Sequence, residues 1–572
     1  MISILGAPSF WRRWNALNGT MRGALLLNYT TDGQPLGKDS TVWSRDPLRP
    51  LVPYALTPFS HSVLAEISKV AWYRYYDRVG FTLPYPPKVI RLVQGRAYLN
   101  LSLMGKYDID HAGIEPLTIR VDGNPLPVSP YEKPSLLAAL KNARNRRKIE
   151  DFLDTLAGEI DTITGTARRW RDKVAGIPRW SQAEILQIME EIERKGVDSL
   201  MAFFAARHNL EIAYNWLLRA TESANPANPA NPFPGNLILV NNALSDLDGL
   251  VEVEIAQTLL EISQLAEKDA AAHAWLEAAS FDNWQETLPA GAFGDRVRVL
   301  FQRYGHRGTG EGEMTIPRWH EAPTALLGGI RACLLYHAKS PATVPSVQHA
   351  QKLLDAVGGK QRKEAEQQLA RARQMLRLQS RALDAFAYIL AGTRTWALEA
   401  AKEAMTDGRM SSADDAFFYE LEEIKQMMTG EWNISDLDDI HAVAQERRVQ
   451  YRANLAVRPL ELLIGDVGVH PIRQGLSGVI GKVTGPLRRQ EFPQPVRCNH
   501  AVVGAVRLDS GWAPALPVAG AFITARGTPV DPIIAAARIW HVPTVLGLGE
   551  HYDDLIDGAQ TTVDGTLATV AQ

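Results

Sequence analysis

The sequence predicts a multidomain α+β protein: a large, mostly helical region followed by a smaller C-terminal α/β domain. Three observations predict it. At 572 residues the chain is too long for one hydrophobic core. Between about residues 133 and 460, apolar residues recur close to the 3.6-residue period of a helix. Beyond residue 474 the chain turns rich in Val, Gly and Pro, with short apolar runs separated by glycine turns.

Residues 1–130 read as an irregular, proline-rich section with β pieces, such as the alternating "VIRLVQGRAYLNLSL" at 89–103. Residues 131–465 read as mostly helical. In "SLMAFFAARHNLEIAYNWLLRAT", Leu200, Phe203, Phe204, Leu210, Ala213, Trp216 and Leu217 form one apolar stripe. The triplet repeat "ANPANPANPFPG" at 224–235 can be neither helix nor central strand, because each proline removes a donor and fixes φ. It is expected as a stiff exposed loop within the helical region. The stretch 360–405 predicts a long helix that Gly392 is placed to interrupt. "DAFFYELEEI" supplies core aromatics at a helix start, with Asp414 or Asp415 as a cap. Residues 474–572 make a compact domain of roughly 100 residues, the commonest domain size.

Composition narrows the function classes. The chain is 46% hydrophobic and 22% charged with a net charge of −3, which argues against a nucleic-acid partner. No apolar run reaches the roughly 18–20 residues that span a bilayer, and the N-terminus is a poor signal peptide. No membrane association and a cytoplasmic location are therefore expected. Two cysteines, Cys333 and Cys498, exclude a disulfide framework. Cys498 and His500 make a ligand pair without a third member, and His61, His208 and His441 stand alone as core or surface histidines. Neither a metal nor a cofactor is expected.

Four C-terminal segments carry a resemblance: "LSGVIGKV" (476–483), "DSGWAPALPVAGAFITARG" (509–527), "AAARIWHVPTVLGLG" (535–549) and "DGAQTTVDGTLATV" (557–570). Their order and spacing resemble the swivelling phosphohistidine domain of PEP-utilising enzymes, closest to the rifampin phosphotransferase branch. "YGHRGTGEGEMTIPRWHEAPTALL" (304–327), "GRMSSADDAFFYELEEI" (408–424) and "YALTPFSHSV" (54–63) are similar to the middle, substrate-binding domain of that branch. Two departures follow from the resemblance. The family's carrier histidine falls on Pro532, flanked by Val530 and Asp531, and proline has no nucleophilic lone pair. The family's ATP-grasp domain has no counterpart in the roughly 45 residues before the middle domain, and no Gly-rich phosphate loop occurs. Asp531-Pro532 reads instead as an N-cap followed by proline at the first helical position.

The candidate site is the charged motif at 304–321. His306 is the candidate general acid/base, with Glu311 or Glu313 setting its tautomer and Arg307 beside it. Arg318, Trp319, Arg394 and Arg538 are candidate substrate contacts, Arg538 because it matches a family arginine. The same residues could equally form a buried salt-bridge network. The implied function is an ATP-independent, repurposed member of the family acting on a small-molecule biosynthetic intermediate by dehydration, cyclisation or condensation, with a partner enzyme of the same pathway as a further candidate partner. A non-catalytic pseudo-phosphotransferase subunit and a split phosphotransferase with a separate ATP-binding chain are the alternatives.

Overall fold

The computed structural model describes residues 41–572 except 53, 82–88, 115–117, 122–123, 129–134, 179, 223–235, 246, 279–280, 342–346, 433–436, 458–459, 466 and 470–474. The Ala-Asn-Pro repeat and the N-terminal 40 residues lie outside the described residues. Ten helices build the part of the fold that matters here: α1 (Pro58–Arg78), α2 (Leu136–Ala175), α3 (Gln182–Ala220), α4 (Val251–Ala266), α5 (Ala292–Tyr304), α6 (Thr324–Leu335), α7 (Arg362–Met405), α8 (Leu421–Thr429), α9 (Leu437–Ala456) and α10 (Pro532–Ile539). Among the described residues no helix is long and apolar enough to cross a membrane.

Helices α2, α3 and α7 pack side by side, and α1 lies on α3. Helix α7 runs unbroken for 44 residues, so the expected interruption at Gly392 does not occur. The glycine serves close approach: a Cβ there would lie 2.5 Å from Trp170 Cζ3 on α2. Helices α1, α2 and α3 begin on side-chain caps, whereas α7 has none. Thr57 accepts from Ser60 N before α1, and Ser181 with Glu184 forms a capping box before α3. At 411–415 Asp415 Oδ2 accepts from Ser411 N and Ser412 N, ahead of a short 3-10 turn and not an α-helix.

A five-stranded antiparallel sheet joins distant parts of the chain. Strands β1 (Val42–Ser44), β2 (Ile90–Val93) and β3 (Arg96–Asn100) pair in the order β2-β3-β1. After a separate hairpin of β4 (Thr118–Val121) and β5 (Asn124–Pro127), β6 (Leu462–Ile464) adds to β1 and β7 (Val467–Val469) to β6. The expected strand run over 89–103 holds to Asn100, where the side chain accepts from Leu103 N and starts a short helix.

The C-terminal part is a seven-stranded mixed sheet made by β8 (Leu476–Val479), β9 (Lys482–Arg489), β10 (Val502–Ala505), β11 (Ala521–Thr524), β12 (Thr544–Leu546), β13 (Gln560–Asp564) and β14 (Thr569–Ala571). Its order is β14-β13-β9-β10-β11-β12-β8, with β9 to β12 parallel and the outer strands antiparallel. Helix α10 is the crossover between β11 and β12. One apolar core continues from the helical region into this part, so that Trp512, Ile533 and Ile534 belong to the same cluster as Leu259 and Leu383.

Candidate functional site

The 304–321 motif folds back on itself after α5. Trp319 N donates to Arg307 O at 2.8 Å and His320 N to Gly305 O at 2.9 Å, which closes the loop and turns its charged side chains inward. His306 and Arg307 are completely buried. Both find the same partner, Asp384 on α7: His306 Nε2 lies 3.1 Å and Arg307 Nη1 3.0 Å from its Oδ1. Arg307 also donates through Nε to Glu311 at 2.5 Å. One helical turn on, Tyr388 stacks on the His306 ring at a centroid distance of 3.4 Å. Burial lowers the His306 pKa and Asp384 only partly restores it, so the ring is neutral at pH 7, with Nε2–H held towards Asp384 and Nδ1 unpartnered among the described residues.

The other motif residues serve neighbouring elements. Glu313 accepts from Thr57 N (2.8 Å), Thr57 Oγ1 (3.0 Å), Ser60 Oγ (3.0 Å) and Thr315 N (2.9 Å), tying the loop to the start of α1. It does not touch the histidine. Burial nevertheless pushes its pKa up, against the pull of those donors. Arg318 Nη2 donates to Glu311 O at 2.6 Å, while its Nε and Nη1 have no partner among the described residues and burial lowers it to about 10. Trp319 is a core anchor. Arg394 donates to Glu321 at 2.9 Å and to Met314 O at 2.6 Å. The structure thus brings His306 and Arg307 to Asp384, with Glu311 on Arg307, while Glu313, Arg318 and Trp319 lie in the same folded loop and Arg394 reaches it from α7. Arg538 stands apart on α10, bonded to Gly478 O at 3.0 Å and to Pro529 O. Asp384 and Tyr388 escaped sequence reasoning because nothing but their i, i+4 spacing marks them within a long helix.

The back of this loop receives the C-terminal domain. Gly310 N donates to Asp509 Oδ2 at 2.7 Å, and Asp509 Oδ1 accepts from Gly511 N at 2.9 Å. The two backbones touch so closely that a Cβ on Gly511 would lie 2.5 Å from Gly308 O. Burial raises Asp509 to about 6, with Arg507 opposing. Further pins surround this contact: Ser510 Oγ to Glu252 at 2.5 Å, Asn241 Nδ2 to Ser477 O at 2.8 Å, and Arg526 to Glu461 at 3.0 Å. Pro532 opens α10 as expected. Asp531 occupies the N-cap position, but its side chain makes no cap bond, which corrects the capping expectation. It accepts instead from Arg207 Nη1 at 2.9 Å and from Thr528 Oγ1 and N at 3.0 and 3.1 Å. The buried guanidinium of Arg207 outcompetes the helix N–H groups for the carboxylate, since a charge-assisted bond is the stronger one.

Arg207 leads to a cavity. Its Nε bonds Glu211 at 2.6 Å, one turn along α3. Glu211 shares with Asp108, His208, Met104, Trp216 and Arg219 the walls of a cavity of about 130 Å³. Within that wall His208 is held at both nitrogens, Nδ1 by Tyr75 Oη at 2.9 Å and Nε2 by Asp108 Oδ1 at 3.0 Å. Burial disfavours its charge, but Asp108 and Tyr75 outweigh burial and raise the His208 pKa well above its usual value. The ring is an imidazolium at pH 7, paired with a carboxylate that borders the cavity. His208 is not the isolated histidine its sequence context suggests. Asp108 lies a hundred residues away and no local spacing could have found it.

Two family models match the chain. Residues 197–397 are similar to the fourth domain of rifampicin phosphotransferase, and residues 498–567 to the mobile domain of PEP-utilising enzymes. No curated protein matches it. The first match contains Arg207, His208, Glu211, the 304–321 motif and Arg394; the second contains Asp509, Asp531 and Arg538.

Proposed function

We propose, from the premise that this chain belongs to the PEP-utilising, rifampicin phosphotransferase-like family, that it is an enzyme turning over a small-molecule intermediate by acid/base chemistry without ATP. The observation that carries this reading is the Tyr75–His208–Asp108 chain on the cavity wall. A protonated His208 is a proton reserve. The Asp108 carboxylate, between it and the cavity, can relay the Nε2 proton to a departing oxygen of the bound compound, which leaves His208 neutral and Asp108 ionised again. Dehydration, cyclisation and condensation all need such a step and run downhill once the reacting groups are oriented. The C-terminal domain would act as a fixed wall behind the cavity, through Arg207, Glu211 and Asp531. Pro532 offers no atom to carry a phosphoryl group, and Asp531 is committed to Arg207 and Thr528.

A second reading places the proton transfer at His306, with Arg307, Glu311 and Glu313 around it. Its support is the unpartnered Nδ1 of a neutral, buried imidazole. Incubation with a small-molecule extract in D₂O, with no nucleotide or PEP, tests both. The preferred reading expects a compound to be consumed by the wild type and spared by Asp108→Asn. Dependence on ATP or PEP would contradict it, and turnover of nothing would favour a non-catalytic subunit.

A further inference from the structure

Helix α2 begins with apolar side chains turned to solvent. Ser135 caps it, so Leu136, Leu137 and Leu140 fall in its first two turns, and they are 88%, 81% and 71% exposed. Single exposed leucines are ordinary, but three on one face form a patch. Helical spacing carries the same face on into charge. Leu136, Leu140, Arg144 and Arg147 follow one another at steps of four, four and three residues, with Leu137, Lys141 and Lys148 in the row beside them. The opposite face, from Asn142 and Asn145 to Leu153 and Leu156, is buried, and Asn145 Nδ2 donates to His111 O at 2.6 Å. That packing fixes which side of the helix looks out. Lys141, Arg144, Arg147 and Lys148 are all exposed, and none is engaged by a carboxylate among the described residues.

The charge pattern selects the partner. No Asp or Glu occurs from Leu136 to Ile149, although the chain as a whole carries a net −3. The first acidic residues, Glu150 and Asp151, stand about 15 Å along the axis from Leu140. A surface met by the N-terminal end of α2 therefore meets only apolar and cationic side chains from this helix. A second copy pairing through the same face would set these cations against one another. A bilayer surface with acidic headgroups fits both halves of the patch: the leucines enter the boundary between headgroups and acyl chains, and the cations stay level with the headgroup charges. No helix among the described residues is long and apolar enough to cross a membrane, and a surface contact needs none.

We propose that the N-terminal end of α2 docks the protein on an anionic lipid surface, beyond the expectation of no membrane association, which rests on the absence of a spanning run. The contact does not depend on proton transfer at Asp108. Co-sedimentation of the intact protein with vesicles tests it, using phosphatidylcholine alone and phosphatidylcholine with one third phosphatidylserine. Binding to the anionic vesicles is expected to be at least about tenfold tighter than to the neutral ones, and to weaken about tenfold between roughly 0.05 and 0.5 M salt. Leu137→Ser with Leu140→Ser should lose about tenfold on anionic vesicles, and Arg144→Glu with Arg147→Glu should lose the preference for them. All four side chains are exposed, so both double variants are expected to keep the wild-type fold. No binding to the anionic vesicles, or equal binding to both kinds, would overturn the proposal on the wild type alone. Undiminished binding by the leucine variant would overturn it too, as would a wild type that ignores vesicles and self-associates, or captures an acidic polypeptide, through these leucines.

Discussion

His208 and Asp108 sit 3.0 Å apart on the wall of the cavity, brought together from different helical segments across a hundred residues of sequence. With Tyr75, the Asp108 carboxylate favours the charged imidazole, so the pair contributes a pH-dependent part of the stability. A group whose pKa is raised by folding stabilises fully below its unfolded value, near 6.5, and that stabilisation is lost as pH rises through the folded value.

Replacing Asp108 with Asn removes the counterion and strands a buried cation. A loss of about 3 kcal/mol is expected at pH 6. The gap between wild type and variant should narrow as pH is raised from 6 towards 10. Urea unfolding at several pH values measures it.

Asp509 carries the opposite chemistry with the same sign. Burial raises this carboxyl to about 6 in the folded protein, so its stabilising contribution is present below its unfolded pKa near 4 and is lost as pH rises through 6. The stability of the wild type relative to Asp509→Asn should therefore fall between pH 4 and pH 7. Melting temperatures of both proteins across that window check it.

Gly511→Ala places a methyl group against Gly308 O, backbone on backbone, where neither side can yield. Overpacking of this kind costs about 1–3 kcal/mol. Hydrogen exchange should accelerate at Gly310 and at 509–516 together, because the substitution separates the docked surfaces.

Glu313→Ala leaves the N–H groups of Thr57 and Thr315 and the hydroxyls of Thr57 and Ser60 without their acceptor. A loss of about 2–3 kcal/mol is expected, with partial recovery in Glu313→Gln, as read by urea unfolding.

Much of the fold was legible in the sequence. Periodicity marked the helices over 131–465 because their apolar stripes face one continuous core, and the turn-separated runs after 474 marked the mixed sheet. Local signals failed where tertiary packing overrode them. Gly392 reads as a helix breaker, but it sits where α2 crosses α7 and only the absence of a side chain lets Trp170 fit. Asp531 reads as a cap, but a buried arginine from α3 takes its carboxylate. The candidate site was legible only in part. The dense 304–321 motif announced itself by composition, whereas Asp384 and the Tyr75–His208–Asp108 chain exist only once distant helices meet.

The most direct test compares nucleotide-free turnover of the accepted compound by Asp108→Asn and His306→Gln, each first shown to be folded. With the chemistry at the His208 cavity, Asp108→Asn should lose at least about a hundredfold in kcat, the scale of a removed general acid, while His306→Gln stays within about threefold of the wild type. A hundredfold loss in His306→Gln with wild-type kcat in Asp108→Asn would contradict the account and move the chemistry to the buried motif.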